Sequence, residues 1–169
     1  MPYFRPWLTE RLNDRLVWTF RVLANGPEFC EIPGPGIDAP RAWVDAVVAV
    51  AHDLRYLRHG REIDPDSLTW EISIGADYDV GIGFSWRSTS GIGGFSGNGM
   101  SMDAAFCDAA VWVADLTQTE LAGYEFVQWP SHGHNLLRPR RVDGQPVWAD
   151  PRTNHAVCAI GELRREVNW

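Results

Sequence analysis

The sequence predicts a single α+β domain over residues 1–169, a two-layer sandwich with a mostly antiparallel sheet and two main helices. Short runs of alternating apolar residues are typical of strands, and two longer stretches carry apolar residues at helical spacing. The strands do not alternate one by one with helices, which favours α+β over a parallel α/β fold. A chain of 169 residues is long enough to bury the core of one domain.

The clearest strand pattern is a hairpin over residues 68–87. Its apolar positions alternate with small or polar ones, so one face is expected to be buried. These positions are Trp70, Ile72, Ile74, Val80, Ile82, Phe84 and Trp86. The opposite face carries Gly81 and Gly83, so it is either solvated or leaves room for something to approach closely. Further strands are predicted at 15–23 and 124–129, with a final hairpin of 146–149 and 155–160.

Two helices are predicted from their capping residues and apolar stripes. The first has Asp38 as its cap and Pro40 in its first turn and ends at Gly60, because a cap, an early proline and a terminal glycine mark helix ends. The second begins with Ser101 as its N-cap and ends near Gly123. Together with the strands, these helices complete the predicted sandwich.

Charge and composition limit the classes of function. The net charge is −7 with 15 basic residues, and all of these are arginine, which excludes lysine-dependent catalysis. The negative field disfavours nucleic acid and anionic membranes and favours another protein with a basic surface. Three widely spaced cysteines, the absence of a signal-like segment and the lack of a long apolar run predict a reduced, cytoplasmic protein.

One group of residues has the chemistry of a zinc site. His132 and His134 are one residue apart, and His155 and Cys158 are three apart; together they form a weak candidate for a tetrahedral site. Residues three apart on a strand point to opposite faces, however. Ordinary turn and core roles are therefore favoured, and we expect no metal and no other cofactor.

No catalytic set stands out. The glycine-rich stretch 88–99 lies between a strand and a helix, as phosphate loops do, but it has neither the lysine nor the spacing of a known phosphate motif. It is predicted to be a mobile loop whose Ile92 and Phe95 suit contact with a partner. Cys107 falls beside the buried stripe of the second helix, so a structural thiol is expected. No catalytic residue is assigned, which favours a protein that is not an enzyme.

The second helix offers a candidate contact face. Asp108, Trp112 and Asp115 are spaced i, i+4, i+7, so they share one side of the helix, away from its apolar stripe. Acidic residues around a large aromatic suit a binder of a basic protein surface. The alternative is that the sheet covers Trp112 and that the two acids are merely solvated.

The C-terminal segment carries several short motifs. In order they are Trp129-Pro130, His132-Gly133-His134, Asp143-Gly144-Gln145-Pro146-Val147-Trp148 and Ile160-Gly161-Glu162-Leu163. This segment resembles part of small uncharacterised bacterial proteins that carry Trp-Pro with nearby Cys and His, then Asp-Gly-x-x-Val-Trp, Cys-Pro and Ile-Gly-x-Leu. Here Ser131 stands near an expected Cys, and Ala149-Asp150-Pro151 replaces Cys-Pro. The resemblance implies no activity, and it implies that part of any metal-ligand set is missing here.

In general appearance the chain also resembles immunity proteins that neutralise bacterial toxins, since it is small, acidic and α+β and has no evident active site. That resemblance implies a non-enzymatic inhibitor that covers the site of a protein toxin or enzyme. Two alternatives stay open. One is a small enzyme with its site on the glycine-bearing hairpin face or at the His132/His134 loop; the other is a zinc-stabilised interaction domain.

Overall fold

The computed structural model describes residues 15–30, 36–86, 95–132 and 134–164. Two helices pack against each other and on a five-stranded antiparallel sheet. The helices are α1 (Arg41–Asp53) and α2 (Phe106–Tyr124). The strands of this sheet, in chain order, are β1 (Leu16–Leu23), β2 (Gly26–Phe29), β4 (Leu68–Ile74), β5 (Asp79–Trp86) and β6 (Phe95–Ser101). Across the sheet their order is β2-β1-β4-β5-β6.

Shorter strands form three smaller sheets. These strands are β3 (His59–Gly60), β7 (Val127–Gln128), β8 (Ser131–His132), β9 (Asn135–Leu136), β10 (Arg138–Val142), β11 (Gln145–Ala149) and β12 (Ala156–Ala159). The C-terminal sheet has the order β10-β11-β12, and its first two strands pack on α2. β3 pairs with β7, and β8 with β9. The predicted α+β class, with two helices and antiparallel sheets, is confirmed, as is the final hairpin β11–β12.

The central hairpin forms as its alternation predicts. β4 and β5 pair antiparallel, with Ile72 opposite Ile82 and Trp70 opposite Phe84. Six of the predicted positions are almost fully inaccessible: Trp70, Ile72, Ile74, Val80, Ile82 and Phe84. The side chain of Trp86 lies outside the described residues. Burying side chains of this size stabilises the fold by about 1.5–3 kcal/mol each, which makes this face the centre of the core.

The first helix is shorter than predicted. α1 begins at Arg41, with Pro40 instead of the predicted Asp38 at the N-cap position, and it ends at Asp53, not at Gly60. Leu57 adopts a left-handed backbone with φ 56°, which a continuing helix does not allow. Gly60 instead lies in β3 with φ 113°, and a Cβ there would collide with the carbonyl oxygen of Phe126. This glycine is therefore needed for the β3–β7 pairing and does not cap the helix.

The region before the second helix also differs from expectation. Residues 95–101 form the edge strand β6 instead of continuing the predicted loop, because they pair with β5 up to Ser101 opposite Asp79. Ser101 therefore caps no helix; its Oγ accepts a hydrogen bond from the Asp103 N–H, and α2 starts four residues later than predicted, at Phe106. The predicted strand 124–129 is reduced to Val127–Gln128, since α2 continues to Tyr124.

Candidate functional site

The outward face of α2 carries the predicted contact residues. Asp108, Trp112 and Asp115 lie on one side of the helix, as their spacing requires. Asp115 is exposed, and so is Thr119 one turn further on. The buried residues of the helix fall at the remaining positions: Ala109, Ala110, Val113, Ala114, Thr117, Gln118 and Leu121. This outward face of α2 is therefore exposed at Asp115 and Thr119 and half-buried at Asp108 and Trp112.

Asp108 does not stand alone on this face. Its Oδ1 accepts a hydrogen bond from Arg141 Nη1 of β10 at 3.0 Å, where Arg141 is exposed and Asp108 is half-buried. A surface pair of this kind adds little stability, but the arginine offsets the negative charge of Asp108. Asp115 forms no ion pair with any residue that the structure describes. Of the two predicted acids, Asp115 thus contributes the uncompensated charge.

Trp112 belongs partly to the core. Its ring meets the ring of Trp43 edge-on, with centroids 5.6 Å apart. It also borders Gly99 of β6, where an added Cβ would lie 3.3 Å from the indole. A minor part of the side chain remains accessible. The structure therefore gives Trp112 a packing role between α1, α2 and β6, together with a limited outer surface.

The two predicted contact residues of the glycine-rich stretch are less well defined. Ile92 lies outside the described residues. Phe95 starts β6, where its backbone pairs with Phe84; its side chain also lies outside the described residues. Because Gly99 of the same strand touches Trp112, β6 runs directly beside the outward face of α2.

A second group of acidic residues, the acidic corner, adjoins this surface, and no role was predicted for it. We use this name for Asp77, Tyr78, Asp79 and Asp103. Asp77 and Tyr78 lie in the β4–β5 turn and Asp79 is the first residue of β5. The Met102 N–H donates to the Tyr78 carbonyl oxygen at 3.0 Å. This bond holds the segment that leads into α2 against the turn. All four residues of the corner are exposed, and within the described ranges none of the three carboxylates forms an ion pair.

Tyr78 has an unusual backbone. Its φ is 60°, in the left-handed region that glycine and asparagine favour. The turn is closed by hydrogen bonds from the Tyr78 N–H to the Gly75 carbonyl oxygen at 3.0 Å and from the Gly75 N–H to the Asp79 carbonyl oxygen at 3.3 Å. The tyrosine side chain is 66% exposed. The alternation of the hairpin predicted a turn here, but no sequence signal distinguished Tyr78 from an ordinary turn residue.

The predicted metal residues do not form a metal-binding group. His132 is half-buried in β8, whereas His134 and His155 are exposed. Among the described residues, no three His, Cys, Asp or Glu side chains are placed to hold one ion. Burial and the nearby charges of Asp53 and Glu162 raise the pKa of Cys158 to about 12. This cysteine is therefore a neutral thiol at physiological pH.

A buried carboxylate that the sequence analysis missed lies at the end of α1. Asp53 Oδ2 accepts hydrogen bonds from Trp148 Nε1 and the Gly161 N–H, both at 2.7 Å, and Oδ1 accepts one from the Leu163 N–H at 2.9 Å. His52 Nδ1 lies 3.1 Å from Oδ1. Burial raises the pKa of the Asp53 carboxyl, and the hydrogen bonds partly oppose this. Because every donor is the chain's own, the cluster fastens α1 to the C-terminal strands.

A second carboxylate lies on the glycine-bearing face of the hairpin. In the register of the sheet, Glu71 stands between Thr19 and Gly83, on the face opposite the core. Burial raises its pKa, and the charge of Arg15 opposes this. A carboxyl group whose pKa is raised in this way can hold and release a proton nearer neutrality than a solvated one.

Comparison with known proteins adds no assignment. No family model, no curated protein and no solved structure matches the chain. Within the described residues, neither helix is long and apolar enough to span a lipid bilayer.

Proposed function

We propose that the protein is a non-enzymatic binding protein of the immunity or inhibitor type, acting in the bacterial cytoplasm. It neutralises a protein toxin or enzyme by covering its site. The observation that carries this proposal is the acidic corner beside the outward face of α2, where an exposed Tyr78 lies among three carboxylates without ion pairs in the described chain. Aromatic anchors with charged rims are the usual chemistry of protein interfaces.

The charge of this surface favours a basic partner. Asp115 on α2 and the carboxylates of the corner are all exposed, and the whole chain carries −7. Like charges repel at close range, and opposite charges speed encounter and fix orientation. A partner with a basic site, and not a nucleic acid or a membrane, is therefore the favoured binding class.

The length of α2 sets the scale of this surface. The helix has 19 residues, which at helical rise is about 28 Å. Specific interfaces bury roughly 800 Å² per partner, so we expect the partner to contact the acidic corner as well as α2.

The test is co-expression with a toxin-like protein encoded by a neighbouring gene. We expect the chain to restore growth and to purify with the toxin as a complex. Asp115→Arg should weaken that complex at least ~10-fold, whereas Glu28→Arg, the same change of charge at the exposed strand β2, should leave it intact. If the two substitutions weakened the complex equally, α2 would be excluded from the interface. A failure of the chain to protect against any such toxin would contradict the proposed function.

The second candidate function is a small enzyme, and Glu71 is the observation that favours it. Its raised pKa and its place between Thr19 and Gly83 suit a proton-transfer group on a face with little side-chain bulk. Under this alternative, Glu71→Gln abolishes a measurable turnover while the protein stays folded. Retention of toxin protection by the same variant would favour the inhibitor.

A further inference from the structure

We propose that one edge of the main sheet is a peptide-binding site, in which an extended segment of another protein pairs with the first half of β1. One apolar side chain of that segment fills a cavity between β1 and α1. The site lies at the β2 end of the sheet, whereas the acidic corner lies beside β6 at the other end. This inference therefore goes beyond the function proposed above and does not depend on it.

β1 has a neighbouring strand on this side along only half of its length. β2 pairs with residues 20–23 of β1, and one further hydrogen bond runs from the Cys30 N–H to the Thr19 carbonyl oxygen at 2.9 Å. The backbone groups of alternate residues in a strand point to the same side, so the N–H and C=O of Val17 face the same way as the Thr19 carbonyl. Among the residues that the structure describes, no strand lies beside Val17 to pair with these groups.

A cavity of about 1030 Å³ lies directly beside this open half of β1. Its walls are residues 17–19 of β1, the end of β2, residues 37–39 and part of α1. The Trp18 indole N–H donates to the Ile37 carbonyl oxygen at 2.9 Å, which holds the segment before α1 in place as one wall. Cavities of this size are typical of ligand sites, and this one has room for side chains of a bound segment.

The lining of the cavity is mostly apolar. It includes Trp18 and Phe29 from the sheet and Val44 and Val48 from α1. Phe29 is 44% exposed and Ile37 is 60% exposed, so two large apolar side chains that the fold leaves uncovered lie at the same cavity. Apolar groups gathered around a concavity are typical of a contact with another molecule.

The open half of the strand defines the occupant as an extended peptide. A sheet edge without a neighbour is a template for an added strand, and the backbone hydrogen bonds of such a strand supply affinity. Side chains of paired strands alternate in step, so the peptide residue opposite Trp18 points to the same face as Trp18 and enters the cavity. The valines of α1 that line this space favour an apolar side chain at that position.

The polar residues of the lining favour a basic neighbour for the inserted side chain. They include Asp38, Arg41 and Asp45. Arg41 Nε donates to both carboxylate oxygens of Asp45, at 2.9 and 3.0 Å, whereas Asp38 is exposed and forms no ion pair within the described ranges. An arginine of the peptide can pair with Asp38, and a glutamate in its place is repelled.

The test uses a short blocked peptide in which threonine and valine alternate and which ends in arginine. In a titration followed by NMR, the largest shifts should be those of the Val17 amide and the Trp18 indole N–H. With valine in the cavity, the threonines lie opposite Val17 and donate to β1, so methylation of their backbone nitrogens should weaken binding at least ~5-fold. The valine N–H groups point away from β1, and their methylation should leave binding unchanged.

Two phenylalanines provide a matched pair of variants. Phe29→Ala removes part of the lining and should weaken binding at least ~3-fold. Phe106→Ala changes a side chain of similar exposure, 39%, at the start of α2, and should bind the peptide as the parent does. Asp38→Asn should remove the preference for arginine over glutamate at the end of the peptide, and Asp143→Asn should keep that preference.

The methylated peptides decide the outcome on the parent protein, even if Phe29→Ala fails to fold. Equal binding of the threonine-methylated peptide would show an apolar cavity without strand pairing and would overturn the proposal. Shifts away from Val17 and Trp18, equal effects of Phe29→Ala and Phe106→Ala, or no binding of the parent peptide would overturn it as well. Toxin protection is measured separately, so the inhibitor function stands or fails independently of these results.

Discussion

At the scale of single residues, the buried Asp53 is the feature on which the C-terminal half depends. Its two oxygens receive three hydrogen bonds, from one indole and two backbone N–H groups. An aspartate on the buried side of a helix, one residue before the apolar Leu54, is a signal that sequence reading could have used, because unpaired carboxylates are rarely buried. The donors could not have been predicted, since they come from residues about a hundred positions later.

We expect Asp53→Asn to destabilise the protein by at least ~2 kcal/mol. The amide keeps one acceptor oxygen, but its NH₂ group then faces N–H donors of the backbone, which are left without an acceptor. Urea denaturation measures the change in the free energy of unfolding. Asp143→Asn, at an exposed turn residue, is the control and should shift it by less than ~0.5 kcal/mol; an equally mild effect of Asp53→Asn would contradict the anchoring role.

Glu71 makes a prediction about pH. Burial raises its pKa in the folded state, so the folded protein binds this proton more readily than the unfolded chain does. The stabilising contribution is therefore complete below the unfolded pKa of about 4.3 and is lost as the pH rises through the folded pKa. Relative to Glu71→Gln, the parent protein should lose stability over that rise, as urea denaturation at a series of pH values would show. If the stabilities of the two proteins changed with pH in the same way, the raised pKa of Glu71 would be contradicted.

At the scale of elements, regular alternation was predictable and irregular ends were not. The β4–β5 hairpin follows from the period of its apolar residues, since one face is buried across both strands. The end of α1 and the start of α2 depend on tertiary pairing. Gly60 was predicted to end α1, but it is needed in β3 because a Cβ at this position would strike the Phe126 carbonyl oxygen. Ser101 was predicted to cap α2, but it pairs with Asp79 in the sheet. A local sequence pattern cannot show with which distant strand a residue will pair.

Substitution of alanine for Gly60 and for Gly123 should therefore change the free energy of unfolding in opposite directions. Gly60→Ala should cost about 1–3 kcal/mol, because its φ of 113° excludes a Cβ that would also strike Phe126. Gly123→Ala should stabilise by about 0.5–1 kcal/mol, because this residue lies in the last turn of α2 with open space around it. Thermal denaturation of both variants checks the pair; a tolerated Gly60→Ala would contradict the β3–β7 geometry.

At the scale of the whole molecule, the acidic surface and the packed core meet at Trp112. The helical spacing correctly placed Asp108, Trp112 and Asp115 on one face, but it could not show that Arg141 offsets Asp108 or that Trp43 receives the indole. The acidic corner was not predictable either, because the proximity of Tyr78 to Asp103 depends on how β6 pairs with β5. The proposed contact surface therefore depends on how the layers assemble.

Stability and association should separate on this surface. Trp112→Ala removes the edge-on contact with Trp43, so we expect a loss of about 2–3 kcal/mol, below that of a fully buried tryptophan, and a melting temperature lower by roughly 5–10 °C. Asp115→Asn, at an exposed site, should keep the melting temperature and slow association with a basic partner, more at low salt than at high salt. Calorimetry and stopped-flow mixing measure the two effects. If Asp115→Asn associates at the parent rate at every salt concentration, α2 is excluded from the contact. This conclusion holds whatever the effect of Trp112→Ala on stability.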